Sequence, residues 1–200
     1  MKKIGIMGGT FDPVHLGHIT LAEAAYTEAG LDEVIMIPAR IQPFKQDRKT
    51  ASGEDRFRML ALLAGMDDKI TVSRYELDND GVSYTYLTLR EMQRRNQEAK
   101  LFFICGADSF LKIDTWMNAD ELLHDYSYII GSRPGYLDTE LADHMKMIHS
   151  RYGTESILIN NEKLDISSTE IRRRLAGGMP VNELIPPPVE RYIREHELYR

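Results

Sequence analysis

A chain of 200 residues with 42% hydrophobic residues can build one large core, and its formal charge of -6 argues against broad, sequence-independent binding of nucleic acid. No run approaches the roughly 18 apolar residues of a membrane span, and the first residues lack the apolar core of a secretory signal. We therefore expect a cytoplasmic protein without membrane or nucleic acid partners. The single cysteine, Cys105, lies in an apolar run, so we expect a buried structural thiol and no internal disulfide.

Short apolar runs alternate with helical patterns along the chain. The first run, residues 4–7, precedes a helical pattern over residues 16–29 that Gly30 can end. Further strands are predicted at residues 34–37, 70–73, 101–105, 128–130 and 157–159. Further helices are predicted from Ser52 onward and over residues 84–95, 119–124 and 141–152. The Ser52 helix is expected to bury Phe57, Leu60, Ala61 and Ala64.

The end of the chain is predicted to be helical as well. Residues 166–200 are interpreted as two helices separated by Pro186, Pro187 and Pro188. They are expected to pack on the rest of the chain as an extension, so that residues 1–200 form a single domain.

The strands are continuous apolar runs, which indicates that helices cover both faces of the sheet. We therefore predict an α/β fold with a doubly wound parallel sheet and a small C-terminal helical extension. Ligands of such sheets bind beyond the carboxyl ends of the strands. That rule places residues 8–18, 38–45 and 106–108 along one edge, where the functional site is expected.

The first chemical constellation is the sequence GGTFDPVHLGH, residues 8–18, between the first strand and the first helix. Gly8 and Gly9 let the backbone approach a ligand closely, and the start of the helix presents N–H groups and partial positive charge. His15 and His18 are three residues apart, so both imidazoles can face one ligand as donors to phosphate. The pattern predicts a phosphate site.

Other interpretations of this loop remain open at this point. Its glycines match neither the dinucleotide-binding pattern nor the P-loop pattern. His15 and His18, with Asp12, could instead bind a metal ion, or they could be ordinary histidines at a capped helix start.

The second constellation is ISSTEIR, residues 166–172. Ser167 and Glu170 have the spacing of a capping box, so another helix begins here. Hydroxyl residues at its start, including Ser168 and Thr169, and Arg172 one turn later could bind an anion. The alternative is a well-capped surface helix with a solvated arginine face. Two such helix starts in one chain favour a polyphosphate ligand.

The combination of GTFDPVHLGH with ISSTEIR resembles the nucleotidylyltransferases that carry an HxGH motif. Within them the chain is similar to the bacterial nicotinate-nucleotide adenylyltransferases, over residues 3–199. The resemblance implies a Rossmann-like nucleotidylyltransferase fold. It also implies adenylyl transfer from ATP, accompanied by Mg2+, to nicotinate mononucleotide, giving deamido-NAD and pyrophosphate without a covalent enzyme intermediate.

The resemblance further implies which residues bind each substrate. His15, His18 and Arg172 would stabilise the charge that develops during transfer. The residues implied in ATP binding are Gly8, Gly9, Thr10, Phe11, His15, His18, Gly106, Asp108, Ser167, Ser168, Thr169 and Arg172. Those implied in mononucleotide binding are Asp12, Lys45, Thr85, Asp108, Trp116 and Arg133, with Trp116 stacking on the pyridine ring. No residue is implied as a protein ligand to a metal.

This chain departs from the family pattern at Phe44, where His is frequent, and at Leu87, where an acidic residue is common. The HxGH loop by itself does not specify the acceptor. Phosphopantetheine, nicotinamide mononucleotide or another phosphorylated acceptor, and cytidylyl transfer, therefore remain alternatives. A nucleotide-binding regulator without catalysis is an alternative of another class. The sequence leaves a homo-oligomer open.

Overall fold

The computed structural model describes residues 1–41, 50–132, 139–160 and 166–200, and within these ranges six strands form one parallel sheet. The strands are β1 (Lys3–Gly9), β2 (Glu33–Pro38), β3 (Ile70–Val72), β4 (Lys100–Gly106), β5 (Ser127–Ser132) and β6 (Ser156–Asn160). Their order across the sheet is β3–β2–β1–β4–β5–β6, and each neighbouring pair is parallel. The chain therefore winds outward from β1 in one direction and from β4 in the other. The carboxyl ends of β1 and β4 flank the switch point, where ligands of such folds bind.

Helices connect and cover the strands. They are α1 (Leu16–Ala29), α2 (Gly53–Ala64), α3 (Tyr75–Asp78), α4 (Thr85–Arg95), α5 (Ala107–Phe110), α6 (Ala119–Asp125), α7 (Thr139–Tyr152), α8 (Ser168–Ala176) and α9 (Pro187–Glu195), with a 3-10 turn at Ile113–Thr115. The predicted α1 is confirmed at both ends, and Gly30 ends it in the left-handed region, with φ 61°. None of the helices in the described ranges is long and apolar enough to cross a membrane.

Both faces of the sheet are buried, as the continuous apolar strands predict. On β1, Ile4 and Ile6 face one hydrophobic cluster and Met7 faces the other. The alternation follows from the pleat of the strand, which directs successive side chains to opposite faces. Cys105 is buried in the sheet, and burial raises the pKa of its thiol to about 12. This agrees with the prediction of a structural thiol.

Two details of the helices differ from prediction. The buried face of α2 consists of Arg56, Met59, Leu60 and Leu63. It is shifted by one residue from the predicted face, because it accommodates Arg56. Prolines 186–188 do not form a break, since Pro186 is the N-cap of α9 and the next two prolines are its first residues. Proline fits there because the first-turn N–H groups have no partner in the helix.

The C-terminal helices share the core of the first half of the chain. Ile171 on α8 and Val189 and Ile193 on α9 belong to the same buried cluster as Met7 and α1. Packing of this segment brings α8 to the carboxyl end of β1, where the glycine loop lies.

Candidate active site

The glycine loop begins inside the sheet. Gly8 and Gly9 are the last residues of β1 and pair with Ile37 and Pro38 of β2. A Cβ on Gly9 would lie 3.0 Å from the Cζ of Phe11, so this glycine gives space to the phenyl ring. Gly8 is exposed, and a Cβ there would make only an ordinary 3.7 Å contact with Phe103. Gly8 is thus the glycine of the pair that keeps the backbone accessible to a ligand.

Phe11 has a structural position in the loop. Its φ of 50° lies in the left-handed region, and its side chain is buried. The ring packs edge-on against His18, with 4.9 Å between the ring centroids. Any contact of Phe11 with a nucleotide must therefore come from its backbone, since the ring faces the protein. Thr10, one residue earlier, is half-buried at the carboxyl end of β1.

The structure brings His15 and His18 together, as their spacing predicts. His15 is the N-cap of α1, and the two imidazole rings stack with centroids 3.7 Å apart. The main-chain N–H of His15 donates to Nδ1 of His18 at 3.3 Å. When the ring of His18 is neutral, this bond leaves its proton on Nε2. The first turn of α1 thus fixes the tautomer of His18 as well as its position.

His15 is a neutral donor. Its side chain is only 6% exposed, and burial lowers its pKa to about 4. Its Nδ1 has no hydrogen-bond partner within the described part of the chain. His15 can therefore stabilise phosphate oxygens as a neutral N–H donor.

Arg172 on α8 places a positive charge beside the glycine loop. Its Nη1 donates to the carbonyl oxygen of Asp12 at 2.6 Å, and its Nη2 lies 3.3 Å from Oγ1 of Thr169. Ser168 Oγ donates to the carbonyl oxygen of Pro13 at 3.0 Å. The start of α8 thus touches the glycine loop directly, so the two predicted constellations form one site.

Ser167 contributes to the site by capping α8. Its hydroxyl accepts a hydrogen bond from the N–H of Glu170 at 3.2 Å, as predicted. In a complete capping box the Glu170 carboxylate would accept a hydrogen bond from the N–H of Ser167. Here that carboxylate binds Arg173 and Arg174 instead. The role of Ser167 is therefore to order the first turn of α8.

Asp12, which is predicted to bind the mononucleotide, is buried in this structure. Its side chain is 2% exposed, and Oδ1 accepts hydrogen bonds from the N–H of Ala51 at 3.0 Å and the hydroxyl of Tyr199 at 2.7 Å. Oδ2 lies 3.4 Å from Nη1 of Arg172. The carboxylate is enclosed by these groups, so Asp12 joins the loop to its surroundings, and its role in mononucleotide binding stays a prediction.

Arg56 is a site residue that the sequence analysis misses. This buried arginine on α2 donates through Nη1 to the carbonyl oxygens of Thr10 at 2.8 Å and Ala39 at 2.7 Å, and through Nε to that of Ala51 at 3.2 Å. It therefore ties the glycine loop to the segment after β2. An available signal was the i, i+3, i+4, i+7 pattern that starts at Arg56 and continues through apolar residues.

Three residues that were predicted to bind the substrates, Gly106, Asp108 and Trp116, follow β4. Gly106 ends β4 and is the N-cap of α5, which carries the exposed Asp108. Trp116 follows the 3-10 turn and is half-buried, with its ring edge-on to Phe103 at 6.0 Å between centroids. Because Phe103 also lies beside Gly8, this aromatic pair is next to the glycine loop.

Thr85 is the first residue of α4 and is half-buried. The preceding Ser83 donates its N–H to the carbonyl oxygen of Ile41 at 2.9 Å and accepts from the N–H of Arg40 at 3.0 Å. These bonds hold the start of α4 against the segment that follows β2. Leu87 is 38% exposed on the same helix. Lys45, Arg133 and Phe44 lie outside the described residues.

The family model described as cytidylyltransferase-like matches residues 6–174, and the chain belongs to this family. A relative from Thermoanaerobacter sp. (strain X514), named "Probable nicotinate-nucleotide adenylyltransferase", is 40% identical over 99% of this chain and 94% of its own length. A relative of the same name from Clostridium botulinum (strain Alaska E43 / Type E3) is 36% identical over 100% of this chain and 99% of its own length. Within the family, the chain is thus a member of the nicotinate-nucleotide adenylyltransferases, as the two motifs predict.

Solved structures agree with the fold. Two structures of Plasmodium falciparum nicotinic acid mononucleotide adenylyltransferase, complexed with NaAD and with APC, match with TM-scores of 0.82 and 0.79. Their identities are 23% and 22%, and each match covers 100% of this chain and 98% of the solved chain. At these identities the likeness concerns the fold, and it confirms the doubly wound α/β prediction.

Proposed function

We propose that this protein transfers the adenylyl group of ATP to nicotinate mononucleotide, giving deamido-NAD and pyrophosphate. The observation that carries the proposal is the meeting of two helix starts, those of α1 and α8, at the carboxyl end of β1. Each helix start offers N–H groups and partial positive charge, and together they can hold more than one phosphate. The full-length relatives named for this activity supply the choice of acceptor.

The residues around the loop define how the transfer can proceed. A phosphate oxygen of the mononucleotide attacks the α-phosphorus of ATP, a new P–O bond forms, and the bond to the β-phosphate breaks to release pyrophosphate. A phosphate monoester dianion needs no general base, which agrees with a site that offers His15 and His18 as donors and contains no activated nucleophile. Arg172 supplies the positive charge, and positioning with electrostatic stabilisation carries the catalysis.

The nucleotide contacts in this proposal follow the geometry of the loop. Gly8, Gly9, Thr10 and Phe11 would contact ATP through their backbone, and His15, His18, Thr169 and Arg172 through their side chains. Ser167 and Ser168 would act through the ordered first turn of α8, because their hydroxyls are engaged with Glu170 and Pro13. Gly106 and Asp108 would contact the nucleotide across the switch point, beyond the end of β4.

The acceptor contacts in this proposal lie along the same edge. Trp116 would stack on the pyridine ring, Thr85 would help to hold the acid group at the start of α4, and Asp108 would contact the mononucleotide. Lys45 and Arg133 keep the roles that the family resemblance implies. We propose that the whole chain works as a single cytoplasmic unit on these small molecules.

Mg2+ is part of the proposal as a companion of the triphosphate. Within the ranges that the structure describes, no three His, Cys, Asp or Glu side chains are grouped to hold a metal ion. The donors around His15, His18 and Arg172 suit phosphate oxygens. The ion would therefore be held by the triphosphate and water, and it would neutralise part of the phosphate charge. A metal site of Asp12, His15 and His18 is not supported, because Asp12 is enclosed by other partners.

The test is pyrophosphate release by the purified protein with ATP, Mg2+ and one acceptor at a time. We expect release with nicotinate mononucleotide and much less with nicotinamide mononucleotide or phosphopantetheine. CTP in place of ATP is the control for the nucleotide. Faster release with another acceptor would replace nicotinate mononucleotide in the proposal, and no release with any acceptor would favour a regulator.

A further inference from the structure

We propose that Tyr199 is a positioning residue of the ATP site, which acts through Asp12 to keep Arg172 directed toward the triphosphate. This inference rests on the proposed function only for the identity of the nucleotide. Tyr199 lies 187 residues after Asp12 in the sequence, yet its hydroxyl donates to Oδ1 of Asp12 at 2.7 Å. The C-terminal segment thereby contacts the loop that carries His15 and His18.

The two oxygens of the buried Asp12 carboxylate have different partners. Its Oδ1 accepts from Tyr199 and from the N–H of Ala51, while its Oδ2 has no hydrogen-bond partner in the described part of the chain and lies 3.4 Å from Arg172. A buried carboxylate has to be stabilised by hydrogen bonds or by opposite charge. The hydroxyl of Tyr199, the N–H of Ala51 and the positive charges of Arg172 and Arg56 therefore share the task of stabilising this carboxylate.

The position of Arg172 depends on how the stabilisation of the Asp12 carboxylate is shared. Its side chain is 26% exposed, and its Nη1 is held at the loop by the carbonyl oxygen of Asp12. If the hydroxyl of Tyr199 is removed, the carboxylate of Asp12 keeps one donor and must draw more stabilisation from Arg172. A tighter ion pair with Asp12 withdraws the guanidinium from phosphate. Tyr199 therefore keeps Arg172 available for ATP.

Two further observations fit a dedicated role for this tyrosine. Its φ of 64° lies in the left-handed region, which is unfavourable for a residue with a bulky side chain and persists only where surrounding contacts fix it. Burial and the charge of Asp12 raise the pKa of its hydroxyl far above the ordinary value. The group thus stays protonated and remains a donor throughout the pH range in which the enzyme can be assayed.

The chain contains a matched control in Tyr192. Its hydroxyl also donates to a carboxylate, Oδ1 of Asp55, at 3.0 Å. Tyr192 lies in the same C-terminal segment, on α9, but Asp55 belongs to the first turn of α2, where its N–H donates to Ser52. Tyr192→Phe removes the same kind of hydrogen bond without touching Asp12.

The experiment measures the Kd of an α,β-methylene analogue of ATP by calorimetry for the wild type, Tyr199→Phe and Tyr192→Phe, together with the melting midpoint of each. We expect Tyr199→Phe to raise the Kd about 5- to 20-fold, near the lower end of the range for a hydrogen bond to a charged group because the effect reaches ATP through Arg172, and to leave the KM for the acceptor within about twofold. Tyr192→Phe should leave the Kd within about twofold even if it lowers the midpoint equally.

A double-mutant cycle with Arg172→Ala tests the route of the effect. If Tyr199 acts through Arg172, Tyr199→Phe adds less than about a twofold change to the Kd in the Arg172→Ala background. Equal effects in both backgrounds, an unchanged Kd in Tyr199→Phe, or equal weakening by the two tyrosine variants would overturn the inference. Because the analogue binds without an acceptor, a wild type that binds it but does not turn over nicotinate mononucleotide would reject the proposed function alone.

Discussion

The stacked imidazoles of His15 and His18 have different surroundings. His15 is buried at the N-cap of α1, whereas His18 is half-buried and has its Nδ1 bound by a main-chain N–H. A neutral imidazole with its proton on Nε2 is a donor to developing phosphate charge. His15, whose pKa burial lowers to about 4, is therefore suited to hydrogen bonding as a neutral donor at neutral pH.

We expect His18→Ala to lower turnover roughly 100- to 1,000-fold, because one preorganised donor to the transferring phosphoryl group is lost. The measurement is kcat from pyrophosphate release at saturating ATP and acceptor. Circular dichroism and the melting midpoint of the variant provide the control for folding. Turnover close to that of the wild type would remove His18 from the proposed charge stabilisation.

His15 should make stability depend on pH. Its pKa is about 4 in the folded chain and about 6.5 for an unperturbed histidine, so between these values the unfolded chain binds the extra proton. Stability is therefore present above pH 6.5 and is lost as the pH falls toward 4. Relative to His15→Gln, the wild type should lose about 2 kcal/mol of unfolding free energy between pH 7 and pH 5. Urea titrations of both proteins measure this, and parallel pH dependences would contradict it.

At the scale of elements, α2 holds two loops in place through one side chain. Arg56 donates hydrogen bonds to three carbonyl oxygens, those of Thr10 in the glycine loop, Ala39 after β2 and Ala51 just before α2. The helix thus acts as a support for the site, although it contributes no predicted substrate contact.

Arg56→Met should lower the free energy of unfolding by about 3 to 5 kcal/mol, because three carbonyl oxygens lose their buried donor. Arg58→Met is the matched control, since Arg58 forms an exposed i,i+4 ion pair with Glu54 on the same helix. That pair should be worth less than about 0.5 kcal/mol. Chemical denaturation compares the two variants, and similar losses would show that Arg56 does not brace the loops.

The 3-10 turn after α5 positions a predicted substrate contact, because it places Trp116 against Phe103, beside Gly8. If the indole stacks on the pyridine ring, Trp116→Ala should raise the KM for nicotinate mononucleotide about tenfold or more and change the KM for ATP little. Trp116→Phe should restore part of the affinity. Equal rises in both constants would indicate that Trp116 serves only the packing of Phe103.

For the whole molecule, the proposed ATP site joins segments from both ends of the sequence. ATP at 100 times its Kd should then stabilise the fold by about 2.7 kcal/mol, which raises the melting midpoint by roughly 5 to 10 °C. Arg172→Ala, with an affinity about 30-fold lower, should keep a rise of roughly 2 °C at the same ATP concentration.

Adenosine is the control ligand for this experiment, because it lacks the phosphates that Arg172 would bind. Its effect on the midpoint should be the same in the wild type and in Arg172→Ala. If ATP stabilised both proteins equally, α8 would not belong to the triphosphate site.

Several parts of the fold could be predicted because each depends on local pattern. Buried parallel strands are apolar along their length. The end of α1 could be predicted because Gly30 readily adopts the left-handed conformation that ends a helix. Helices α3 and α5 and the 3-10 turn could not be predicted, since one helical turn is too short to establish a periodicity. The buried face of α2 was predicted one residue out of place, because Arg56 does not look like a core residue until its carbonyl partners are known.

The sequence by itself determined the alternation of strands and helices and the two donor-rich helix starts, because these depend on residues close together in the chain. It also carried the family resemblance. Only the tertiary structure decided that Asp12 is enclosed by Ala51, Arg172 and Tyr199, and that Arg56 braces the glycine loop. These contacts join residues 39 to 187 positions apart, and packing of the sheet and the C-terminal helices creates them. No local pattern encodes such a distance.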